Sequence, residues 1–143
     1  MNVMVETVDG KILTVTAGNA TTKVDRSGDP DAVGFHSVDL LLAGLGSCMI
    51  GTMLSAAEEA SITVSGARVE LRPVVAFGPE RVSRIRMKMS VDGDFSADEM
   101  VVLQAAAESC KVHNSLHHGV ATEIVLGSTA VTSSSTTGGD SRV

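Results

Sequence analysis

The longest apolar segment of the sequence constrains the fold most strongly. From Ser37 it reads SVDLLLAGLGSCMIGTMLSAAEEA, contains no proline, and is apolar around most of a helical circumference until Ser55. Such a pattern predicts a buried central helix from Ser37 to about Ala60. Glycines at positions 44, 46 and 51 each cost about 1 kcal/mol relative to alanine inside a helix. They therefore predict close packing against another backbone, for example that of a second subunit.

Size and composition indicate one globular domain without a membrane span. The most apolar stretch, residues 40–54, is shorter than the roughly 20 residues that a spanning helix requires. We expect residues 1–127 to form a single domain and the Ser/Thr/Gly-rich residues 128–143 to be a disordered tail, because the tail has too little apolar surface to bury. The N-terminus lacks the basic and apolar regions of a secretion signal, which predicts a cytoplasmic location.

The charge argues against nucleic acid as a partner. The net charge is −6 at pH 7, and the chain has three phenylalanines but no tryptophan or tyrosine. An acidic protein is repelled by phosphate backbones, and few aromatic rings are present to stack on bases.

Strand-forming runs precede and follow the apolar helix. The first two flank Asp9-Gly10, a pair typical of two-residue hairpin turns. Residues 26–34 are rich in Gly, Pro and Asp and predict an exposed loop. The predicted strands are residues 3–8, 12–15, 20–24, 62–77, 82–91 and 120–126. Their order around the helices predicts an α+β fold with an antiparallel-rich sheet packed on a long central helix, closed by the last strand.

A second helix has a clear predicted start. Ser96 suits the N-cap, Glu99 follows three residues later as in a capping box, and Phe95 is placed to contact Met100. We expect this helix to run to about Ser109.

The two cysteines are the candidate reactive groups. Cys48 shares a helical stripe with Thr52 and Ser55, so it faces the less apolar side of its helix, although a free cysteine is also an ordinary small apolar side chain. Cys110 shares the stripe of Leu103, and His113 follows three residues later. An imidazole near a thiol can stabilise the thiolate, but a histidine there can equally serve the helix C-terminus.

A metal site is a less favoured alternative. Cys48, Cys110, His113 and His117 form a Cys/His set that zinc would accept. However, the paired Cys-x-x-Cys spacing of dedicated sites is missing. We therefore predict a site without a metal or other cofactor.

The phrases LLLAGLGSC, ending at Cys48, and SCKVHNSL, around Cys110, resemble the OsmC/Ohr family of osmotically inducible and organic-hydroperoxide-resistance proteins, in its general OsmC-like branch. The resemblance extends over about residues 1–127. It implies an OsmC-like intertwined homodimer and a thiol-dependent peroxidase. Cys48 would attack an organic hydroperoxide or hydrogen peroxide, Cys110 would resolve the sulfenic acid as a disulfide, and a dithiol reductant would return the electrons.

The chain departs from the family pattern at several positions. The family glutamate ten residues before the first cysteine is Val38 here, and Asp39 is the predicted substitute; Arg26 is the predicted counterpart of the family arginine. Family prolines are replaced by Ser37 and Lys111.

Leu41, Leu45 and His113 are predicted to line the substrate site. The rival interpretations are a non-catalytic small-molecule or thiol-binding module of the same fold and, less favoured, a Cys/His metal-binding protein.

Overall fold

The computed structural model describes residues 2–129, so most of the predicted tail lies outside the described residues. The chain is of the α+β class, as predicted. Its elements are β1 (Met4–Asp9), β2 (Ile12–Ala17), β3 (Ala20–Asp25), α1 (Ser37–Glu59), β4 (Gly66–Ala76), β5 (Arg81–Asp92), α2 (Ala97–Glu108) and α3 (Lys111–His118).

The strands form two separate antiparallel sheets. One has the order β1-β2-β3, and the other is the β4-β5 hairpin. The predicted first hairpin is confirmed, but its turn is shifted by one residue. Asp9 pairs with Ile12, so Gly10 and Lys11 form the turn, and Gly10 has a positive φ of 29°. The expectation of one sheet closed by a final strand is wrong for the described residues.

Helix α1 supplies most of the core. Its buried face contributes Leu45, Met49, Met53 and Ala57, which pack with residues of α2 and are covered by the β4-β5 hairpin. A Cβ atom on Gly46 would lie 2.9 Å from Leu71 Cδ1 on β4. The close packing predicted from the glycines is therefore found within the chain at Gly46.

The opposite face of α1 is open, which corrects the prediction of burial around the whole helix. Leu41 and Leu54 are each 39% exposed, and a Cβ on Gly44 or Gly51 would meet nothing within 4 Å. By length and composition alone, the helix is also long and apolar enough to cross a membrane. The most apolar stretch identified from the sequence, residues 40–54, therefore underestimates the apolar length of this helix. The buried face of α1 packs against α2, α3 and β4, as in the core helix of a globular domain.

The predicted strand at residues 120–126 is not observed. These residues form neither helix nor strand, and Ile124, Val125 and Leu126 are 88–97% exposed. The apolar residues of this segment are compatible with a β-strand, but a strand forms only when its backbone pairs with the edge of a sheet. Within residues 2–129, no strand pairs with this segment.

The start of α2 agrees with the sequence. Ser96 Oγ accepts a hydrogen bond from Glu99 N at 3.1 Å, which satisfies one of the free amides of the first turn. The helix ends at Glu108, with Ser109 as its C-cap.

Candidate functional site

Cys110 lies at the break between α2 and α3. Its backbone is extended, with φ −68° and ψ 152°, and it is the N-cap of α3. Cys110 Sγ accepts a hydrogen bond from His113 N at 3.3 Å. The prediction that Cys110 extends the buried stripe of α2 is therefore wrong in its geometry. The side chain is nonetheless buried, with only 1% exposed.

The first turn of α3 faces Cys48, a half-buried residue of α1. The backbone N–H of Val112 holds the pKa of the Cys48 thiol below its ordinary value, against the opposing effect of burial. The Cys110 thiol, the backbone N–H of Lys111 and the side chain of Thr52 lower the pKa further. Free amides and the helix dipole stabilise negative charge at a helix N-terminus. The arrangement therefore favours a thiolate at Cys48.

The second thiol has the opposite tendency. Burial raises the pKa of Cys110, and the nearby Cys48 sulfur raises it further, while the His113 N–H partly counteracts this. The pair consequently consists of two neighbouring thiols whose pKa values are shifted in opposite directions, that of Cys48 downward and that of Cys110 upward. Such a pair can supply a nucleophile and a proton-bearing thiol within contact of each other.

Asp39 and Arg26 lie elsewhere in the same copy. Asp39 Oδ2 accepts a hydrogen bond from His36 N at 2.9 Å at the start of α1. It lies nine residues before Cys48, which corresponds to about 14 Å along the helix axis. Arg26 follows the end of β3, where its N–H donates to Lys11 O at 2.9 Å. Neither residue is among the groups that set the pKa of either thiol.

The three predicted substrate-binding residues come together. Leu41, Leu45 and His113 line one cavity of about 340 Å³ between α1, α3 and β5. Leu45 and Leu41 lie about one and two helical turns before Cys48. His113 reaches Cys110 through its backbone N–H, whereas its imidazole Nδ1 is buried and has no hydrogen-bond partner within residues 2–129. The predicted contact between the His113 imidazole and the thiol is therefore replaced by a backbone contact.

Comparison with known proteins identifies the family. The model of the family described as OsmC-like protein matches residues 28–125. The chain belongs to the OsmC-like family. No curated protein matches the sequence of this OsmC-like chain.

Solved structures share the fold of this OsmC-like chain. An OsmC-like protein of Mycoplasma pneumoniae is 18% identical with a TM-score of 0.75, covering 81% of this chain and 86% of its own. A proposed osmotic stress induced and detoxification response protein of Psychrobacter arcticus is 22% identical with a TM-score of 0.73, covering 80% and 87%. An organic hydroperoxide resistance protein of Legionella pneumophila is 16% identical with a TM-score of 0.56, covering 81% and 89%.

The metal alternative receives no support from the geometry of this OsmC-like chain. Among the described residues, no three or more His, Cys, Asp or Glu side chains gather as a metal site. The set of Cys48, Cys110, His113 and His117 is therefore not assembled around one point.

Sequence reasoning missed the backbone amides of Lys111 and Val112. Backbone donors leave no residue-type signature, because every residue except proline carries one. The available signal was local: a cysteine can accept from the amide three residues later, as serine does at an N-cap, and this would have placed a helix start at Cys110.

Proposed function

We propose that this OsmC-like chain is a thiol-dependent peroxidase that reduces organic hydroperoxides or hydrogen peroxide through two cysteines. The observation that carries the proposal is the placement of Cys48 at the N-terminus of α3 with the Cys110 thiol beside it. The Legionella pneumophila neighbour, described as an organic hydroperoxide resistance protein, supports the same class of activity.

In the proposed reaction, the Cys48 thiolate attacks one oxygen of the hydroperoxide. An S–O bond forms, the O–O bond breaks, and the departing alkoxide takes a proton and leaves as the alcohol. Cys110 sulfur then attacks the Cys48 sulfenic acid, which forms the disulfide and releases water. A dithiol reductant restores both thiols and becomes a disulfide itself. The amides of Lys111 and Val112 favour the first step because they stabilise the attacking thiolate.

The surroundings of the thiol pair favour an apolar substrate. The cavity one to two turns from Cys48 is lined mostly by apolar side chains, including Leu41, Leu45 and Leu116, together with the polar residues Ser83, Arg84, His113 and His117. Apolar walls bind an alkyl group more readily than a charged one. Organic hydroperoxides are therefore the proposed preferred substrates.

We also propose that the protein acts as an intertwined homodimer. Val3, Met4, Val5 and Val8 are 55–63% exposed on and beside β1, and the open face of α1 carries Gly44 and Gly51. Exposed apolar surface of this extent is typical of interaction sites. A charged substitution such as Val5→Lys should shift the protein toward monomer in analytical ultracentrifugation, with Glu80→Lys in the exposed turn between β4 and β5 as the control. A wild-type protein that sediments as a monomer would contradict the proposal.

Intact mass spectrometry tests the two-cysteine reaction. The reduced protein is mixed with one equivalent of cumene hydroperoxide, and cumyl alcohol, which lacks the O–O bond, is the control. Wild type should lose two hydrogens. Cys110→Ser should gain one oxygen, because Cys48 is oxidised without a resolving thiol, and Cys48→Ser should not react. Serine is a matched replacement at position 110 because it is a good N-cap residue.

A second candidate is the non-catalytic thiol-binding module of the same fold. The observation that favours it is the position of Asp39 and Arg26, which do not contact the thiols within one copy. If wild type stays reduced with cumene hydroperoxide while Cys48 forms stable mixed disulfides with small thiols, the binding module replaces the peroxidase.

A further inference from the structure

A second cavity collects the methionines of the chain. It has a volume of about 1040 Å³ and lies between α1, β5, α2 and α3. Every methionine after position 4 lines it, five of the seven in the sequence. They come from three separate elements: Met49 and Met53 from α1, Met87 and Met89 from β5, and Met100 from α2. Neither cysteine lines this cavity, although it shares Met87, His113 and His117 with the smaller cavity lined by Leu41 and Leu45.

Two histidines of α3 reach the same cavity. The rings of His113 and His117 are nearly parallel, with an interplanar angle of 14° and centroids 6.2 Å apart. The buried His113 Nδ1 has no hydrogen-bond partner among the described residues. Burial of an unpaired polar atom costs free energy, and a bound metal ion would offset that cost by accepting the nitrogen lone pair.

The donor types select one kind of metal. No three His, Cys, Asp or Glu side chains gather in the described part of the chain, so a metal here must complete its coordination with thioether sulfur. Zinc, calcium and magnesium sites use nitrogen, thiolate or oxygen donors. Thioether and imidazole together are donors that suit monovalent copper.

The methionines lie in pairs on α1 and β5, with Met100 on α2, and Met87 and Met100 are partly open to solvent. Met49 and Met53 are four residues apart on one helix face, and Met87 and Met89 lie two residues apart on one strand face. Methionine has three rotatable bonds and adjusts to irregular spaces.

We propose that this cavity binds Cu(I) through thioether sulfurs of the methionines and the imidazole of His113, with His117 as a further available ligand. The proposal is independent of the peroxidase reaction, because it uses neither thiol and involves no change of oxidation state.

The test is an anaerobic titration with Cu(I) in competition with a chromogenic copper chelator. The full chain carries Cys48→Ser and Cys110→Ser, so that thiolates do not bind the metal. We expect this parent to retain one equivalent of Cu(I). Met87→Leu combined with Met89→Leu should weaken the affinity by about tenfold or more, as should His113→Gln. Leucine is a matched replacement because it conserves volume and apolar character while removing the sulfur.

Met4→Leu is the control, since Met4 is exposed outside the cavity, and its affinity should equal that of the parent. A melting experiment separates binding from folding: Cu(I) should raise the Tm of the parent and of Met4→Leu, but much less that of the double leucine variant. If the parent retains no copper, or if the leucine variant binds as tightly as the parent, the methionines only pack the interior and the proposal is wrong.

Discussion

Substitution of Lys111 by proline isolates the contribution of one backbone amide to the Cys48 thiolate. Lys111 is the first residue of α3, where proline is well tolerated because its missing N–H has no partner within the helix. Proline also restricts the preceding residue to extended conformations. Cys110 already has φ −68° and ψ 152°, so the replacement fits the existing backbone. It deletes a donor to Cys48.

The expected effect follows from the donors around Cys48. A hydrogen bond contributes about 0.5–1.5 kcal/mol net. Because about 1.4 kcal/mol corresponds to a factor of ten, the thiolate fraction at a fixed pH below the pKa should fall by about 2- to 12-fold. The result should lie toward the smaller end, since the Val112 N–H lowers the pKa more than the Lys111 N–H and remains in place.

The assay is alkylation by iodoacetamide as a function of pH, with each cysteine quantified by peptide mass spectrometry. Lys111→Ala is the matched control, because it removes the same side chain and charge but keeps the N–H. The pH of half-maximal Cys48 alkylation should be higher in Lys111→Pro than in Lys111→Ala. In wild type, the pH of half-maximal alkylation should be lower for Cys48 than for Cys110. Identical Cys48 profiles in the two variants would refute the role assigned to the α3 amide.

Three further predictions concern stability. Gly46→Ala should lower the free energy of unfolding in urea by about 0–2 kcal/mol, because overpacking against Leu71 costs about 1–3 kcal/mol and the higher helix propensity of alanine offsets about 1 kcal/mol. In a Leu71→Ala background this loss of stability should be smaller. An equal loss in both backgrounds would contradict the contact with Leu71. Ser96→Ala should cost about 1 kcal/mol through loss of the α2 cap, measured by urea unfolding, unless the Glu99 N–H finds another acceptor. Hydrogen bonds from Ser27, its side chain first and then its backbone, and from the Val33 N–H hold the pKa of Asp25 below its ordinary value. Asp25→Asn should therefore lower Tm at neutral pH, and the difference from wild type should shrink as pH falls through the folded pKa of this carboxyl; a difference independent of pH would show that ionisation is irrelevant.

The helices were predictable because their signals are local. The apolar run beginning at Ser37 and the cap at Ser96 depend on residues within a few turns, and both helices begin and end close to the predicted positions. The family was predictable from the two phrases that contain the cysteines.

The geometry of the thiol site was harder to predict from the sequence, because it depends on tertiary packing. The break after Ser109 makes Cys110 the cap of a new helix, and the amides of that helix face Cys48 because α3 packs on α1. The Lys111 amide that faces Cys48 carries no side-chain signal at all. The segment 120–126 fails for the reverse reason: its pattern is favourable for a strand, but a strand forms only by pairing with a sheet edge, and no strand among residues 2–129 pairs with it.

The N-cap position of Cys110 would couple the proposed disulfide chemistry to the stability of α3. In the reduced protein, Cys110 Sγ accepts the His113 N–H and so stabilises the first turn of α3. A disulfide to Cys48 would have to reorient this sulfur, and the cap would be weakened. If the cap contributes about 1 kcal/mol, the reduced form is favoured by that amount, which corresponds to a reduction potential higher by about 20 mV. The helix would thus make the proposed disulfide easier for the dithiol reductant to open.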